Sequence, residues 1–490
     1  MNRPVRICVI CAMLCFAGFS GCTMGPEYVR PDTAASEPGR FVNTVPGFDP
    51  NRYSDVTLWW RRFNDPVTNE LVEAALVHNY NIKAAAARVM QSEALLGVAR
   101  GEQWPQVRHN FSRTNERTVS DLEGGSVSHA FKTSYSQNIT AGYVLDLFGQ
   151  LKRGKEAAWG DLLSSEASRV AVVHSVISKV IQRRIDIATY QNQYAIAMAS
   201  TQSWKNTMEI VERRYGAGLA GPVDLRLSRE NLAASEAYET EVLQLLRSAE
   251  LALDVLVGRR PGGSEALPGT LGELPDIEHV PSGIPAGLLD RRPDLRAKEA
   301  ELAASTARVG VRIAQMYPDL TLTGTGGYSS GEFSELLDSK FLVYSLVLKS
   351  VTPIFMGGQL RAKTAQAKAV VEEKASDYAQ AVLVAMSEVE DALIREGLLR
   401  KRLEAVERQV KEAGAAERLA RERYSRGVEP LLTVLESERR RRNAEVVLAK
   451  TKGDMWRARV DLFLALGGDW QDDITDSGTW KEEKKRSDKG

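Results

Sequence analysis

The sequence predicts a mainly α-helical protein made of two tandem copies of one unit, in which very long helices alternate with four β-strands. Three observations support this fold class. Alanine, leucine, glutamate and arginine are abundant and aromatic residues make up only 7% of the chain, a composition typical of long helices. Proline is absent from residues 106 to 221 and from 354 to 429. Short residue patterns also recur in the same order at a nearly constant spacing.

The recurring patterns define the two copies. An offset of 213 residues pairs Asn81 with Asp294 and Pro105 with Pro318. Further along, an offset of 209 pairs Gly149 with Gly358, Arg214-Tyr215-x-x-Gly218 with Arg423-Tyr424-x-x-Gly427, and Gly258 with Gly467. Ordered matches over this length indicate a tandem repeat. We place the copies at residues 70–258 and 284–467, joined by a linker at 259–283 and followed by a polar C-terminal tail at 468–490.

The N-terminus predicts export and a lipid anchor. Arg3 and Arg6 precede an apolar run at residues 7–19 that is too short to span a bilayer, as in a signal peptide. Small residues then lead to Cys22, which predicts a lipoprotein signal peptide at 1–21, lipid attachment at Cys22 and a lipid-anchored segment at 22–69. The alternative is an ordinary signal peptide with an incidental cysteine, and Phe19 stands where leucine is preferred. Thr23, where aspartate would favour inner-membrane retention, favours the Gram-negative outer membrane.

The composition of the mature chain excludes several kinds of site. Only Cys22 of the four cysteines remains after cleavage, so an intramolecular disulfide and a cysteine metal centre are excluded. Loss of Arg3 and Arg6 from 64 basic residues leaves 62 against 64 acidic ones, a net charge of −2 that gives no support for nucleic-acid binding. No run of eighteen apolar residues follows Cys22, so we expect no transmembrane helix, and a membrane crossing would require a closed β-barrel.

Each copy is predicted to begin with a helix and continue as a β-hairpin. The helices, at about 65–103 and 293–316, end next to Pro105 and Pro318, because proline disfavours a helical residue before it. Alternating polar and apolar residues then predict strands at about 106–117, 133–146, 319–328 and 340–352. About ten residues is the length of a tilted membrane strand, although surface hairpins of a soluble protein are the alternative. Four strands cannot close a barrel alone, so a membrane role requires an oligomer.

A very long helix follows each hairpin. Residues 150–215 would form a helix of roughly 100 Å at a rise of about 1.5 Å per residue. Apolar and small residues recur along it at every third or fourth position: Leu163, Ala167, Val170, Ile177, Ile181, Ile185 and Ala188. This stripe predicts packing on other helices, as in a coiled coil or a wall of helices.

Several patterns together resemble one known family. They are Gly21-Cys22-Thr23-Met24-Gly25-Pro26-x-Tyr28-x-x-Pro31, Trp59-Trp60-x-x-Phe63-x-Asp65-Pro66, Leu145-Asp146-Leu147-Phe148-Gly149, Arg291-Arg292-Pro293-Asp294, Pro318 and Arg423-Tyr424-x-x-Gly427. The sequence resembles the TolC-like outer-membrane efflux proteins over nearly the whole mature chain, in particular the lipoprotein branch that includes OprM and NodT. It departs from the family pattern at Tyr143-Val144, where Trp-Glu is expected.

The resemblance implies an assembly and partners. Three chains would form a homotrimer, in which each contributes four strands to one shared β-barrel in the outer membrane. The long helices would form a periplasmic α-barrel that docks on a periplasmic adaptor (membrane fusion) protein and an inner-membrane RND-type pump. The resemblance therefore implies an outer-membrane, lipid-anchored protein with a long periplasmic extension.

No catalytic pattern emerges from the sequence. The H-E-x-x-H, G-x-S-x-G and Walker A patterns are absent, and Gly324-x-Gly326 lacks the third glycine of a dinucleotide site. The histidines are scattered without metal-ligand spacing: His78, His109, His129, His174 and His279. We therefore expect no enzyme activity, no metal and no cofactor other than the covalent lipid on Cys22.

The candidate functional residues lie in the two turns between the long helices. Glycine permits the left-handed backbone at a helix end and proline suits the start of the next helix, so turn formation alone is the alternative for each residue. The resemblance implies that these tips close the duct and meet the adaptor, with Glu429 at the family's gate aspartate. Three copies of Glu429 around an axis would crowd like charges, and neighbours such as Arg426 or Arg423 could pair with them. The predicted gate and docking residues are Glu429, Arg426, Asp224, Tyr215, Tyr424, Gly218 and Gly427.

The sequence thus favours the exit duct of a tripartite efflux system, which passively conducts small molecules such as drugs or toxic compounds. The energy would come from the inner-membrane partner, because the chain has no nucleotide site. Two alternatives stay open: a type I protein-secretion duct and a periplasmic coiled-coil scaffold lipoprotein. A scaffold would not need four strands of membrane length.

Overall fold

The computed structural model describes residues 23–32, 59–122, 126–262, 267–269, 271 and 292–467. The signal peptide, Cys22, the polar tail and most of the linker lie outside the described residues. In chain order the described elements are a 3₁₀ helix (Trp59–Phe63), α1 (Pro66–His78), α2 (Tyr80–Gly101), β1 (Gln106–Leu122), β2 (Ser126–Leu145), α3 (Gln150–Gly216), α4 (Pro222–Val257), α5 (Pro293–Ala314), β3 (Asp319–Ser330), two 3₁₀ turns (Phe333–Glu335 and Ser339–Phe341), β4 (Leu342–Val351), α6 (Gln359–Ser425) and α7 (Leu431–Ala465).

The helices repeat with the offsets seen in the sequence. Helices α2 and α5 are both 22 residues long, and their first residues are 213 positions apart. Helices α3 and α6 are both 67 residues long and begin 209 positions apart. The glycines that end these long helices, Gly218 and Gly427, both have a positive φ, at 73° and 76°. The mainly helical fold and its tandem repeat are therefore confirmed.

The first predicted helix is broken in two, which corrects the expected single helix at 65–103. Asn79 lies between α1 and α2 with extended backbone angles, φ −63° and ψ 125°. Its side-chain oxygen accepts hydrogen bonds from the backbone N–H of Asn81 and Ile82, at 2.8 and 3.2 Å, and so caps α2. Its amide nitrogen donates to the carbonyl oxygen of Leu256 at 2.7 Å. A buried asparagine that caps one helix and binds another stabilises the break.

The four strands form one antiparallel sheet in the order β1-β2-β3-β4. The β1–β2 hairpin is longer than the predicted strands at 106–117 and 133–146, because pairing continues to Leu122 and Ser126. This extension mixes polar residues with a few apolar ones, and the alternation used for prediction is less clear there than the backbone pairing. In the second copy, β4 begins two residues after the predicted position 340, because Ser339–Phe341 forms a 3₁₀ turn.

The sheet has one apolar and one polar face. Side chains directly opposite in the register share a face, and successive residues alternate between faces. The apolar face includes Leu145, Tyr143, Ile139, Phe111, Leu320, Leu322, Leu342, Tyr344, Leu346 and Leu348. The polar face includes Asn110, Ser112, Ser136, Asn138, Thr140, Thr321, Thr323 and Thr325. Such a sheet suits two different environments, one on each side.

The chain divides into two compact units, and each contains segments of both repeat copies. Unit 1 comprises Met1–Pro31, Arg88–Glu166 and Ala297–Tyr378, and unit 2 comprises Asp32–Ala87, Ala167–Arg296 and Ala379–Gly490. In unit 2, the stripe residues Ile177, Ile181 and Ile185 of α3 are fully buried in a core with Trp59 and Phe63. Among the described residues, no helix combines the length and the apolar character needed to cross a membrane.

Candidate functional site

The first tip joins α3 to α4 within unit 2. Beyond the end of α3, the N–H of Leu219 donates to the carbonyl oxygen of Arg214 at 2.8 Å, and Gly218 adopts the left-handed conformation that this closure requires. Pro222 then begins α4, and the Asp224 carboxylate accepts the N–H of Gly221 at 3.3 Å. Asp224 therefore caps its own helix, where its charge also favours the positive end of the helix dipole.

The second tip joins α6 to α7 with the same backbone arrangement. The N–H of Val428 donates to the carbonyl oxygen of Arg423 at 3.1 Å, and Gly427 has a φ of 76°. Pro430 precedes α7 as its N-cap residue. The two predicted glycines thus occupy equivalent left-handed positions, which explains why both copies need glycine there.

Glu429 is paired within the second tip. The Arg423 Nε lies 3.3 Å from Glu429 Oε2, and the Glu429 side chain is 23% exposed. Arg426, the other expected partner, instead binds Glu422 at 2.5 Å. Glu422 and Arg426 are four residues apart and lie on the same helix face, so their pairing competes with a contact of Arg426 across the turn to Glu429. Within the single chain, therefore, Arg423 and not Arg426 contacts Glu429.

Tyr424, in the second repeat copy, contacts the first tip. The Arg214 guanidinium carbon lies 4.8 Å from the centre of the Tyr424 ring, a cation–π distance. Tyr424 also packs against a buried cluster at the tips, formed by Trp204, Val211, Leu431 and Leu435. Tyr215, the equivalent residue of the first copy, is 43% exposed. The repeated tyrosines therefore have different environments.

A layer of charged residues close to the tips was not predicted from the sequence. Glu438 of α7 is fully buried, and its Oε2 lies 3.0 Å from Arg421 Nη2 on α6. Arg421 also binds Glu417 at 2.8 Å and donates to Ser203 Oγ of α3 at 2.5 Å. Burial raises the pKa of Glu438, and contacts with Ser203 and Arg421 partly oppose this rise. The available signal was a glutamate one turn after three apolar residues of α7 that are buried, Leu431, Val434 and Leu435.

Comparison with known proteins decides the family. The outer membrane efflux protein model matches residues 71–259 and 284–468, one match for each copy of the repeat. The chain belongs to the outer membrane efflux protein family. Its expected class of function, outer-membrane efflux, is thereby confirmed.

Individual relatives and solved structures agree with this assignment. The efflux protein is 31% identical over 422 residues to the pyoverdine export outer membrane protein OpmQ of Pseudomonas putida, a match that covers 85% of this chain and 88% of OpmQ. The outer-membrane channel OprN superposes with a TM-score of 0.80 and 29% identity, over 92% of this chain and 100% of OprN. The open state of the Neisseria gonorrhoeae MtrE channel gives a TM-score of 0.78 and 27% identity, over 91% of this chain and 98% of MtrE.

The residues after Cys22 are fixed to unit 1 of the efflux protein. The Met24 N–H donates to the carbonyl oxygen of Phe148 at 3.1 Å, and Arg153 Nε donates to the carbonyl oxygen of Met24 at 3.1 Å. A Cβ on Gly149 would lie 3.1 Å from the Cα of Thr23, so only glycine lets the chain pass this closely. Thr23 therefore lies where β2 gives way to α3.

A cavity of about 390 Å³ lies in unit 2 of the efflux protein. Its lining includes His174 and both acidic and basic side chains: Arg292, Asp294, Glu388, Asp391, Arg395 and Asp461. Arg292 Nη2 lies 2.8 Å from Asp294 and 2.7 Å from Glu388, and Arg395 binds Asp391 and Asp461. The charges of the lining are thus largely paired with one another. Among the described residues, no group of three or more His, Cys, Asp or Glu side chains is arranged to hold a metal ion.

We expect acid to destabilise the fold through His174, which is 3% exposed. Burial lowers the pKa of His174 to about 4, although Asp294 raises it in part. An unfolded histidine titrates near 6.5, so the unfolded state binds more protons between these values. The contribution of His174 to the free energy of unfolding is complete above pH 6.5 and falls by about 3 kcal/mol as the pH drops to 4.

Thermal unfolding of His174→Gln at a series of pH values tests this expectation. The melting temperature of the wild type should fall more steeply than that of the variant between pH 6.5 and 4. His78→Gln is the matched control, because His78 is an exposed histidine of the same unit. Parallel pH profiles for the wild type and His174→Gln would show that His174 is not the titrating group.

Proposed function

We propose that this chain is the exit channel of a tripartite efflux system and that three copies form one duct. The observation that supports this most is the sheet, which has an apolar face and two edge strands, β1 and β4. All ten residues of β4 are exposed in the single chain, and Tyr344 and Leu346 are 86% and 75% exposed. An exposed apolar edge strand favours pairing with another chain. If β4 of one chain pairs with β1 of the next chain, and this repeats around a threefold axis, no strand edge stays unpaired.

We also propose that Cys22 is lipidated and lies at the membrane surface. Thr23, the next residue, is fixed at the end of β2, and β2 belongs to the sheet that would cross the membrane. A lipid on Cys22 would therefore need no long spacer to reach the bilayer. Diacylglycerol on the cysteine sulfur carries two acyl chains, which anchor a protein stably, so the lipid would act together with the sheet.

The partners of the proposed channel are a periplasmic adaptor and an inner-membrane RND-type pump. Large apolar side chains at both tips are well exposed: Leu219 (70%), Val223 (67%), Val428 (63%) and Leu432 (63%). Such exposed side chains at a helix end favour contact with another protein. The polar face of the sheet, with its row of threonines, would line the duct and give little selectivity among small molecules.

The tips are proposed to restrict the duct, and this gives a prediction for Glu429 and Asp224. Alanine at both positions removes the Arg423–Glu429 pair and the cap on Gly221. We expect a several-fold higher conductance in a planar lipid bilayer, because the second tip loses a contact that fixes its closed form. Glu422→Ala is the control, since it breaks only the Arg426 pair. Asp224→Asn retains a side-chain acceptor and separates capping from charge. Unchanged conductance in the double variant would contradict the gate.

Deletion of the gene tests the proposed function in cells. Cells without the protein should retain a fluorescent efflux substrate and keep a normal envelope shape, and the wild-type gene should restore export. Normal efflux together with a distorted envelope would instead indicate a scaffold.

A further inference from the structure

We propose that helix α2 of one chain packs on the first turns of α6 of the neighbouring chain, with Leu95 of α2 in contact with Val370 of α6. This seam between two chains would repeat the packing of α5 on α3 that exists inside one chain. The inference rests on the proposed function, because it requires a ring of copies, and it names the helix surfaces through which those copies meet.

Inside the chain, α5 packs closely on α3. A Cβ on Gly160 of α3 would lie 2.9 Å from the Cβ of Ala304 on α5, so the two helices touch at this point. Ala304 is fully buried. One turn further along α5, Arg308 forms an ion pair with Asp161 of α3. These contacts define the packing that the seam would repeat.

Helix α2, the equivalent of α5 in the first copy, has an exposed apolar face. One side of α2 contacts α3, where the hydroxyl oxygens of Ser92 and Ser165 lie 2.6 Å apart. Away from this contact, Met90, Leu95 and Val98 are 68%, 63% and 60% exposed. Two of the 22 residues of α2 are buried, whereas more than half of α5 is buried. An apolar face of this kind on a helix favours contact with another protein surface.

The start of α6 is the exposed counterpart of the α3 surface on which α5 packs. The offset of 209 residues pairs Gly160 with Ala369 and Asp161 with Val370. Gly160 is buried, but Ala369 is exposed and Val370 is partly exposed. Each chain therefore presents one surface that corresponds to α3 and another, on α2, that corresponds to α5. The two surfaces complement each other only between different copies of a repeat.

The strand order places these two surfaces at the same junction. Inside the chain, β2 leads into α3, β3 follows α5, and β2 pairs with β3. At the proposed junction between chains, β4 leads into α6, β1 follows α2, and β4 would pair with β1 of the next chain. The strand pair between chains is thus continued by the equivalent pair of helices. A head-to-tail contact of this kind closes into a ring when it is repeated around an axis.

The residues at the seam differ from their equivalents inside the chain. Leu95 takes the position of Arg308, at the offset of 213, and Val370 takes that of Asp161. An ion pair between partly exposed side chains contributes little, and inside the chain other contacts already hold the helices together. Separate chains depend on the surface that they bury, and the centre of such an interface is apolar. Two apolar residues in place of an ion pair therefore suit a contact between chains.

A glycine in α2 indicates the same close approach. A Cβ on Gly97 would meet open space in the single chain, although glycine destabilises a helix relative to alanine. Its equivalent on α5 is Gly310, where a Cβ would lie 2.9 Å from Arg153 Cγ of α3. Glycine at position 97 is explained if α6 of the next chain approaches α2 there, as α3 approaches α5.

Thiol cross-linking of the purified protein in detergent tests the seam. We expect L95C/V370C, treated with a short bismaleimide, to keep the mass of three copies after boiling. L95C/L398C is the negative control, because Leu398 is another exposed apolar residue of α6 that lies far from Val370 along the helix. This control also reports any reaction through Cys22, and it should return to the mass of one copy.

A second pair of cysteines shows that the linker spans the contact. D161C/R308C carries the thiols at the equivalent positions of α3 and α5 inside one chain. After boiling, it should have the mass of one copy plus one linker. The two pairs thus differ only in whether the reaction joins different chains.

A charge exchange tests the same contact without a linker. Leu95→Arg and Val370→Asp should each lower the temperature at which the unboiled trimer dissociates, because each places a charge in an apolar seam. L95R/V370D re-creates the Asp161–Arg308 pair between chains and should recover a large part of the loss. Recovery in the double variant alone identifies residues that are in contact. Circular dichroism before heating shows that each variant is folded.

Two results would overturn the seam but leave the proposed channel intact. The first is a trimer in which L95C/V370C returns to the mass of one copy while D161C/R308C takes up the linker. The second is an L95R/V370D trimer that dissociates at no higher temperature than the single variants. The exposed face of α2 would then be covered by another occupant, such as an adaptor or lipid. A wild type that forms no trimer would contradict the proposed function itself, and the seam with it.

Discussion

Asp65→Ala is expected to lower the free energy of unfolding by about 3–5 kcal/mol, because it removes the carboxylate that compensates a buried charge. Arg184 is fully buried in α3, and its Nε lies 3.4 Å from the Asp65 carboxylate, which is itself 6% exposed. Burial lowers the pKa of Arg184 and the Asp65 charge opposes this shift, so the charged guanidinium depends on its partner. Thermal unfolding of the detergent-solubilised protein, followed by circular dichroism, measures the loss.

Two further variants separate the sources of this effect. Asp65 also accepts the N–H of Val67 at 3.3 Å and the hydroxyl of Thr68 at 2.6 Å, so it caps α1. Asp65→Asn keeps an acceptor for the cap but removes the charge. Its loss in the free energy of unfolding should be smaller than that of Asp65→Ala by only about 1 kcal/mol. Glu73→Ala breaks the exposed Arg61–Glu73 pair and should change stability by less than about 1 kcal/mol. An equal loss in Glu73→Ala and Asp65→Ala would show that burial does not determine the effect.

Gly258→Ala is the second large effect that we expect. Gly258 ends α4 with a φ of 76°, and a Cβ there would lie 2.6 Å from the carbonyl oxygen of His78 at the end of α1. The left-handed backbone costs an alanine about 1–2 kcal/mol, and displacement of the α1 backbone adds about 1–3 kcal/mol. The melting temperature should therefore fall strongly.

Gly262→Ala provides the control for the contact with α1. Gly262 has a φ of 82°, but the nearest atom to its Cβ would be Leu251 Cδ2 at 3.9 Å. This variant carries the backbone strain without the steric clash, so it should be the less destabilised of the two. Equal melting temperatures would mean that the close approach of α1 and α4 has no energetic consequence.

Much of the fold could be predicted because its signals are local and repeated. Gly218 and Gly427 end the long helices with the same backbone conformation, and each is followed by a proline near the next helix. The same sequence offsets that pair these turns also pair helices of identical length. Because each local pattern occurs twice in the chain, the order of the helices could be predicted from the sequence.

The remainder depends on contacts between distant residues. The break at Asn79 follows no change in hydrophobic pattern, because it is stabilised by a hydrogen bond to Leu256, 177 residues away. The Asp65–Arg184 pair likewise joins residues far apart in the chain. Local patterns contain no information on such partners, so sequence reasoning missed both.

The candidate site was predictable in location but not in detail. Turn residues identified both tips, and Arg423 was among the expected partners of Glu429. The environment of Tyr424 was not foreseen, because it depends on Arg214 of the other copy. The charged layer around Glu438 was missed for the same reason, since it joins α3, α6 and α7.

Three chains, each with a sheet that has two open edges, are proposed to combine into one channel. This assembly is tested most directly by purifying the full-length protein from membranes in mild detergent, with native mass analysis and gel electrophoresis of boiled and unboiled samples. We predict a mass of three copies that falls to one copy on boiling, with circular dichroism of mixed helix and strand before heating. A monomer or dimer that leaves the membrane once the proposed lipid on Cys22 is removed would contradict the trimeric channel.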